Sequence, residues 1–565
     1  MLETFGIPYD IVAEPDELAA YPVAYLSGGF YNDVLETGWS NALYGYVEEG
    51  GVLVAPSPVG SSLYPLFGVQ DRLPQKGRYR LRFTGDDPAL SYIDHPRERE
   101  ISLGNGPEHI YDEVIWSHGY SGPGPEARVL ARFDDGSAGL VRNYFGRGMT
   151  YLLGLSWVES VMLPRVGHDF EAQRDFVNSF EPSSDVILLF AKAVYESTAF
   201  PAVYLHTIPD ARPTALILSH DVDAQTSFVD SLKFADLAES FGASATFFEN
   251  TKYFTDWKDI AYYEVPENKA AVRELAARGF DIGSHTVSHY TQLDTAPLGS
   301  RSVTYAEYEP TKQVTLFGEV RVSKELLDRD IPGQNTVAFR AGDLAFHEGL
   351  IGVLDDSGYL YDSTFSANDV LTTFPFFATR RRLPFSRLSN VIEIPLTLDD
   401  SLGFLTPETV DEAAATWIDV FEANAANTSL TVLLNHPSDT REQNHKLRAQ
   451  RRLMERAAEM NAWMGDLTSF GEFWRSRHAT QVSPVMEDGT LVIRMSREAA
   501  ELHPDLAVVV RNLPSDAGVR VEDAEGRELS YREMRPAGPA DAASSPQARR
   551  GVRYLVDIRS ASPRE

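Results

Sequence analysis

Three short clusters in the 565-residue chain combine carboxylates and histidines at spacings suited to hydrolytic chemistry. The first is Ser219-His-Asp-Val-Asp223, directly after the apolar run Ala215-Leu-Ile-Leu218. Side chains two apart on an extended backbone project to the same side, so Asp221 and Asp223 stand together. Such a pair is costly without a cation; the alternative use of these residues is an Asx-turn or N-cap after a strand. The second cluster is Ser284-His-Thr-Val-Ser-His289, after Phe280-Asp-Ile-Gly283. On a helical turn, His285 and His289 stack on one face at a separation one metal ion can bridge. A zincin-type protease does not fit, because Thr286 stands where that motif needs its Glu general base. The third is Leu433-Leu-Asn-His436-Pro, which presents a histidine at the end of a buried-looking strand. A lone histidine is more often a packing or loop residue; the strand-end position here makes a functional role an equal alternative.

These clusters need a scaffold that brings distant strand ends to one rim. Between about residues 203 and 478 apolar strand-like runs alternate with helical stretches such as Lys269 to Arg278. The strand candidates after Ala215–Leu218 are Ala243–Phe248, Phe280–Gly283, Thr336–Arg340, Val391–Pro395 and Leu430–Leu434. That alternation predicts a βα barrel, whose active site lies at the C-terminal strand ends. Asp223, His285 and His289 then supply two histidines and one carboxylate, with open positions for water and substrate.

Taken in this order, the clusters resemble the polysaccharide deacetylase family, the NodB-homology or carbohydrate esterase family 4 fold. The resemblance implies Asp221 as general base, Asp223, His285 and His289 as ligands of one divalent metal ion, and His436 as general acid. Zinc is the first candidate for the ion, with cobalt or another divalent ion as alternatives. The family's third motif, Arg-x-Pro, is met by Arg340 but has Gly342 at the Pro position; Arg340 is implied to orient the base. Tyr359-Leu-Tyr-Asp-Ser363 is similar to the fourth motif without its Trp, and points to Asp362. The implied activity is removal of N-acetyl groups from an acetylated polysaccharide or oligosaccharide. Hydrolysis of a small cyclic amide or imide on the same fold, and a non-catalytic glycan-binding protein, are the competing readings. His220 is either a support for the base or a strand-end packing residue.

The flanks read differently. Residues 1–200 alternate strands and helices, from Val23–Gly29 through a helix around Asn41–Val47 and the strand Gly51–Ala55 to three strands within Arg128–Gly154. Gly146-Arg-Gly-Met-Thr-Tyr-Leu-Leu-Gly154 resembles a glutamine-amidotransferase-like domain. The chain has no Cys, so that family's nucleophile is absent and an accessory, non-catalytic α/β domain of flavodoxin-like or amidotransferase-like type is expected. Gly6 to Ala13 reads as a helix end running into a strand without its preceding strand, and predicts upstream residues in the native product. The segment Pro201–Pro213 reads as a crossing between domains. Past residue 479 the strands Gly489–Arg494, Leu506–Arg511 and Val552–Asp557 predict a small β-sandwich, with Pro536 to Gly551 as a loop.

Composition bounds the partners. With 43% hydrophobic and 24% charged residues the chain is globular, and 62.8 kDa requires more than one core. A formal charge of −31 argues against nucleic acid and anionic lipid and suits a neutral ligand. Without Cys, metal must be held by His and carboxylate. No apolar run is long enough to span a membrane, and no signal peptide opens the sequence. An extracytoplasmic location is nonetheless expected from the implied substrate. Oligomeric state is left open by the sequence.

Overall fold

The structure is a computed structural model that describes residues 1–28, 37–75, 77–96, 98–103, 116–166, 185–256, 261–365, 374–381, 383, 386–401, 405–437, 444–497, 502–514, 516–534 and 552–556. The chain sorts into two compact units, one built on Thr207–Arg477 and the other drawing together Met1–His168, Ser179–His206 and His478–Glu565.

The first unit carries the chemistry. Its strands are β1 Ala215–Val222, β2 Thr246–Glu249, β3 Asp281–Ser284, β4 Ala338–Phe339, β5 Tyr361–Asp362, β6 Phe376–Thr379, β7 Leu388–Glu393, β8 Leu398–Asp399, β9 Leu430–Asn435 and β10 Trp463–Gly465. They form one sheet in the order β6-β7-β5-β4-β3-β2-β1-β9-β8, with β10 beside the first half of β1. Every pairing is parallel except β6 on β7. Parallel strands covered on both faces must be apolar throughout, and all eight residues of β1 and all six of β9 are buried. The sheet curls as a half-barrel: its path ends at β6 and β8, which do not pair with each other among the described residues. The expected α/β architecture is present, its sheet curled and open as in a distorted barrel.

Among the described residues seven α-helices connect and cover these strands: α1 Ser227–Ser240, α2 Pro266–Ala277, α3 Leu316–Asp330, α4 Leu350–Ser357, α5 Val410–Ala426, α6 His445–Glu459 and α7 Leu467–Ala479. Three of their starts are locally encoded. Pro266 supplies a fixed φ at the first position of α2, the Thr315 hydroxyl accepts from the Gly318 N–H at α3, and the Asn444 side chain accepts from the Leu447 N–H at α6. Apolar faces of α1, α2 and α3, including Phe228, Phe234, Val272, Leu275, Val320 and Leu326, join the outward residues Phe247 and Ile282 in one core.

In the second unit, Val23–Tyr25, Val52–Pro56 and Gly148–Leu153 run parallel, as the early strand and helix alternation predicts; Gly29 lies outside the described residues. The sheet then turns antiparallel through Ala138–Phe145, Ala127–Phe133, Arg80–Phe83 and Glu100–Ser102; tight turns join Ala127–Phe133 to Ala138–Phe145 and Ala138–Phe145 to Gly148–Leu153, too short for the crossover a parallel pair needs. Residues 7–13 form no strand: Ile7 is buried, but Pro8 lacks an N–H and Ile11 is 87% exposed, so the segment joins no sheet. It follows a 3-10 turn, Leu2–Phe5, ended by Gly6 at φ 58°, where a Cβ would lie 2.6 Å from that of Leu205. Ala202–Leu205, expected within a crossing, pairs with Ala507–Arg511 in a four-strand sheet completed by Val552–Val556 and Tyr531–Met534. Thr480–Glu487, Thr490–Arg497 and Gly518–Glu522 make a separate three-strand sheet. The 536–551 loop expectation falls outside the described residues.

Candidate functional site

β1 alternates inward and outward, and this alternation sorts its polar residues. His220 points out: its Nε2 meets Gln450 Oε1 on α6 at 3.1 Å and its ring stacks on Phe247 with centroids 4.7 Å apart. Burial pulls its pKa down to about 4, so it is neutral. It is a packing residue and no part of the rim.

Ser219 and Asp221 point in, toward Arg340, which follows β4 and has no exposed surface. Arg340 Nη1 donates to Asp221 Oδ1 at 2.8 Å, Nη2 to the hydroxyls of Ser219 at 2.9 Å and Ser363 at 3.0 Å, and Nε to the Ser363 carbonyl at 3.0 Å. Its guanidinium also lies over Phe248 at 4.5 Å. A guanidinium with this many fixed partners cannot turn away. Burial alone would raise the Asp221 pKa, but Arg340 and the nearby histidines overcome it and hold the carboxyl at about 2.

His285 follows β3, and its Nδ1 lies 3.0 Å from the Arg340 carbonyl oxygen. A carbonyl only accepts, so Nδ1 carries the hydrogen and Nε2 keeps its lone pair. That Nε2 is buried, has no hydrogen-bond partner among the described residues, and lies 3.7 Å from Asp221 Oδ2. His289 Nε2 lies 3.8 Å from Asp223 Oδ2. The two rings are edge-to-face with centroids 5.1 Å apart. The helical turn expected between them is absent. Residues 285–290 form a turn in which Thr286 and His289 take left-handed φ values of 65° and 50°, and this brings the rings together. Gly342, where the resembled motif has Pro, packs against this turn: a Cβ there would lie 2.9 Å from His289 Cγ. The sequence difference therefore has a spatial cause.

His436 follows β9. Its Nε2 lies 3.9 Å from Asp223 Oδ2, its Nδ1 is 2.5 Å from Asp400 Oδ1, and its backbone N–H donates to Asp400 Oδ2 at 3.0 Å. Lys446, in the first turn of α6, places its ammonium 2.7 Å from Asp400 Oδ2 and 3.2 Å from the His436 carbonyl. Burial would lower the His436 pKa, but the Asp400 carboxylate outweighs it and lifts it to about 9. Burial would raise the Asp400 carboxyl; His436 and Lys446 hold it below its ordinary value. Asp400 and Lys446 escaped the sequence reading. The available signal was Leu398-Asp-Asp400 at a strand end. Asp362 has another role: Oδ1 accepts from Thr364 at 2.6 Å, and Asp362 faces Glu393 in the β5–β7 register.

The structure thus brings all six candidates to one rim. Asp221, His285 and Arg340 are buried, whereas the side chains of Asp223, His289 and His436 are 27%, 26% and 23% exposed. The donor set fits a divalent ion: His285 offers a buried, unpartnered nitrogen lone pair, and His289 and a carboxylate stand beside it. Among the described residues, Asp399, Asp400 and His436 are the acid and histidine group whose ligand atoms all lie within 4.8 Å of one another, a spacing that Asp223, His285 and His289 do not meet. There, however, the Lys446 ammonium already meets the Asp400 charge and His436 Nδ1 is engaged, so that group orients a histidine.

No curated protein matches the sequence significantly. Among solved structures, the chain is similar to a Mycobacterium smegmatis protein classed as a polysaccharide deacetylase, at 19% identity and TM-score 0.35 over 48% of this chain and 94% of that one. It is also similar to Puue allantoinase, at 14% and 0.34 over 48% and 93%. A third is a CE4 family pseudoenzyme from Bacillus anthracis, at 12% and 0.28 over 46% and 65%. Residues 223–346, the stretch that holds Asp223, His285, His289 and Arg340, match the model of the polysaccharide deacetylase family.

Proposed function

We propose that the Thr207–Arg477 unit is a metal-dependent hydrolase that removes N-acetyl groups from an acetylated glycan, with one divalent ion, zinc first, bound by Asp223, His285 and His289. The observation that supports this best is the opposite pairing of two groups on one rim: Arg340 Nη1 donates to Asp221 Oδ1 at 2.8 Å and Asp400 Oδ1 meets His436 Nδ1 at 2.5 Å, which favours an ionised Asp221 and a protonated His436 at neutral pH. Hydrolysis of an amide needs both at once, a base for the water and an acid for the departing nitrogen.

A divalent ion in this donor set supplies Lewis acidity toward the amide carbonyl and lowers the pKa of a water molecule. Asp221 Oδ2, the oxygen Arg340 does not engage, accepts the water proton. Arg340 keeps that carboxylate charged and aimed. His436 Nε2 faces the same space and donates its proton to the leaving amine, while Asp400 holds the opposite side of the ring. Acetate and a free amino group result. An extracytoplasmic place of action goes with such a substrate, and the N-terminal residues 1–200 serve as an accessory part.

The test is acetate release from chitin oligomers and peptidoglycan, with small cyclic imides alongside, before and after chelation. Chelator-sensitive acetate release is expected, and Asp221→Asn should keep its metal while losing most turnover. No acetate from any glycan by a metal-loaded protein would overturn the proposal, and turnover of an imide alone would reassign the substrate.

A further inference from the structure

The turn from His285 to His289 holds two non-glycine residues in left-handed conformations, one of them β-branched. Such conformations are costly for residues with a Cβ and persist only when their surroundings over-determine them. The backbone is engaged group by group. The His285 N–H donates to the Glu249 carbonyl at 3.0 Å, and the His285 carbonyl accepts from Asn250 Nδ2 at 3.2 Å. The Thr286 carbonyl accepts from the Thr251 N–H at 3.1 Å and its hydroxyl at 3.3 Å, and the His289 N–H donates to Thr286 Oγ1 at 3.2 Å.

The two middle N–H groups are met from a distant element. Glu319, in the first turn of α3 and fully buried, accepts through Oε2 from Val287 N–H at 3.1 Å and Ser288 N–H at 2.7 Å. Its Oε1 accepts from the Tyr308 hydroxyl at 2.7 Å. Among the described residues no cation pairs with it, and burial pushes its carboxyl above the ordinary range. A carboxyl buried at that cost binds only the two residues between the histidines and the tyrosine that orients it.

We propose that Glu319 is a positioning residue for the metal site: by fixing Val287 and Ser288 it makes His285 and His289 converge, and so sets the affinity for the ion without touching it. This rests on the reading of Asp223, His285 and His289 as ligands. Groups that orient ligands typically change metal affinity about 10- to 100-fold when removed.

The test is zinc affinity by competition with a chromophoric chelator, with thermal unfolding of the metal-free proteins beside it. Glu319→Gln, whose neutral amide has one acceptor oxygen where the carboxylate has two and so cannot accept from both the N–H pair and the Tyr308 hydroxyl, should weaken zinc binding about 10-fold or more while the metal-free protein still unfolds cooperatively. In a His289→Ala background the same change should cost little further affinity, because the residue through which it acts is gone. Tyr308→Phe, which frees the carboxyl from its anchor, should weaken zinc several-fold and decides the matter if Glu319→Gln does not fold. Wild-type affinity in a folded Glu319→Gln, or in Tyr308→Phe when the former is unfolded, would overturn the proposal. An equal loss with and without His289 would also overturn it. If wild type itself binds no stoichiometric zinc, the ligand reading fails and the proposal falls with it.

Discussion

Replacing Asp400 with Asn isolates the charge that keeps His436 protonated. Asn retains an oxygen that can accept from Nδ1–H, so the ring keeps its orientation while the carboxylate is lost. In the wild type, Asp400 overcomes burial and raises the His436 pKa from 6.5 to about 9. Without that carboxylate burial dominates, and Lys446, left without its anionic partner, adds a second repulsive charge near the ring. The pKa should then fall below 6.5. From 9 to 6.5 is about 3.4 kcal/mol, and at pH 8 the imidazolium fraction drops from roughly 90% to about 3% or less. The primary assay is a ¹³C-histidine NMR titration of the metal-free protein, in which His436 is one of 13 histidines and is assigned through His436→Ala. A resonance near 9 in the wild type and below 6.5 in Asp400→Asn is expected. In the loaded enzyme, turnover at pH 8 should fall at least about 30-fold, the ratio of the two imidazolium fractions. A His436 resonance still titrating near 9 in Asp400→Asn, or turnover within threefold of wild type, would refute the assignment of that charge.

Arg340→Met removes the charge facing a fully buried Asp221 and should cost about 3–5 kcal/mol in urea unfolding, with the acid limb of activity moving to higher pH as the Asp221 carboxyl rises; an unchanged limb would mean that Arg340 only packs. Glu249 is buried with both carboxyl oxygens unpartnered among the described residues, and burial raises it to about 8. Its folded pKa lies above the ordinary 4.5, so the stability that protonation preserves is complete below pH 4.5 and is lost as pH rises toward 8. Glu249→Met should therefore stabilise by on the order of 3 kcal/mol at pH 7 and little at pH 4.5; equal gains at both pH values would refute it. Gly342→Ala puts a Cβ about 3 Å from the His289 ring and should weaken zinc binding about 10-fold in a folded protein, whereas unchanged affinity would show that the turn yields freely.

How much was legible in the sequence follows the range of the interactions. Apolar runs such as Ala215–Leu218 and Leu430–Leu434 announce strands covered on both faces, and the polar residues that end them announce a rim. Both signals are local. The turn at His285 was misread, because spacing four suits a helix and nothing within five residues reveals that Asn250, Thr251 and Glu319 hold a left-handed path instead. Residues 7–13 were misread for the same reason: a β-rich stretch becomes a strand only if a partner edge is offered.

By itself, then, the sequence determined the α/β alternation of the Thr207–Arg477 unit, the six candidates at the strand ends, and the absence of any thiol chemistry. The tertiary structure alone decided which carboxylate each donor meets. Arg340 finds Asp221 across 119 positions, His436 finds Asp400 across 36, and Ser288 finds Glu319 across 31. Those pairings set the protonation states. Coulomb energy and desolvation depend on separation and burial in space, and neither quantity is a function of distance along the chain.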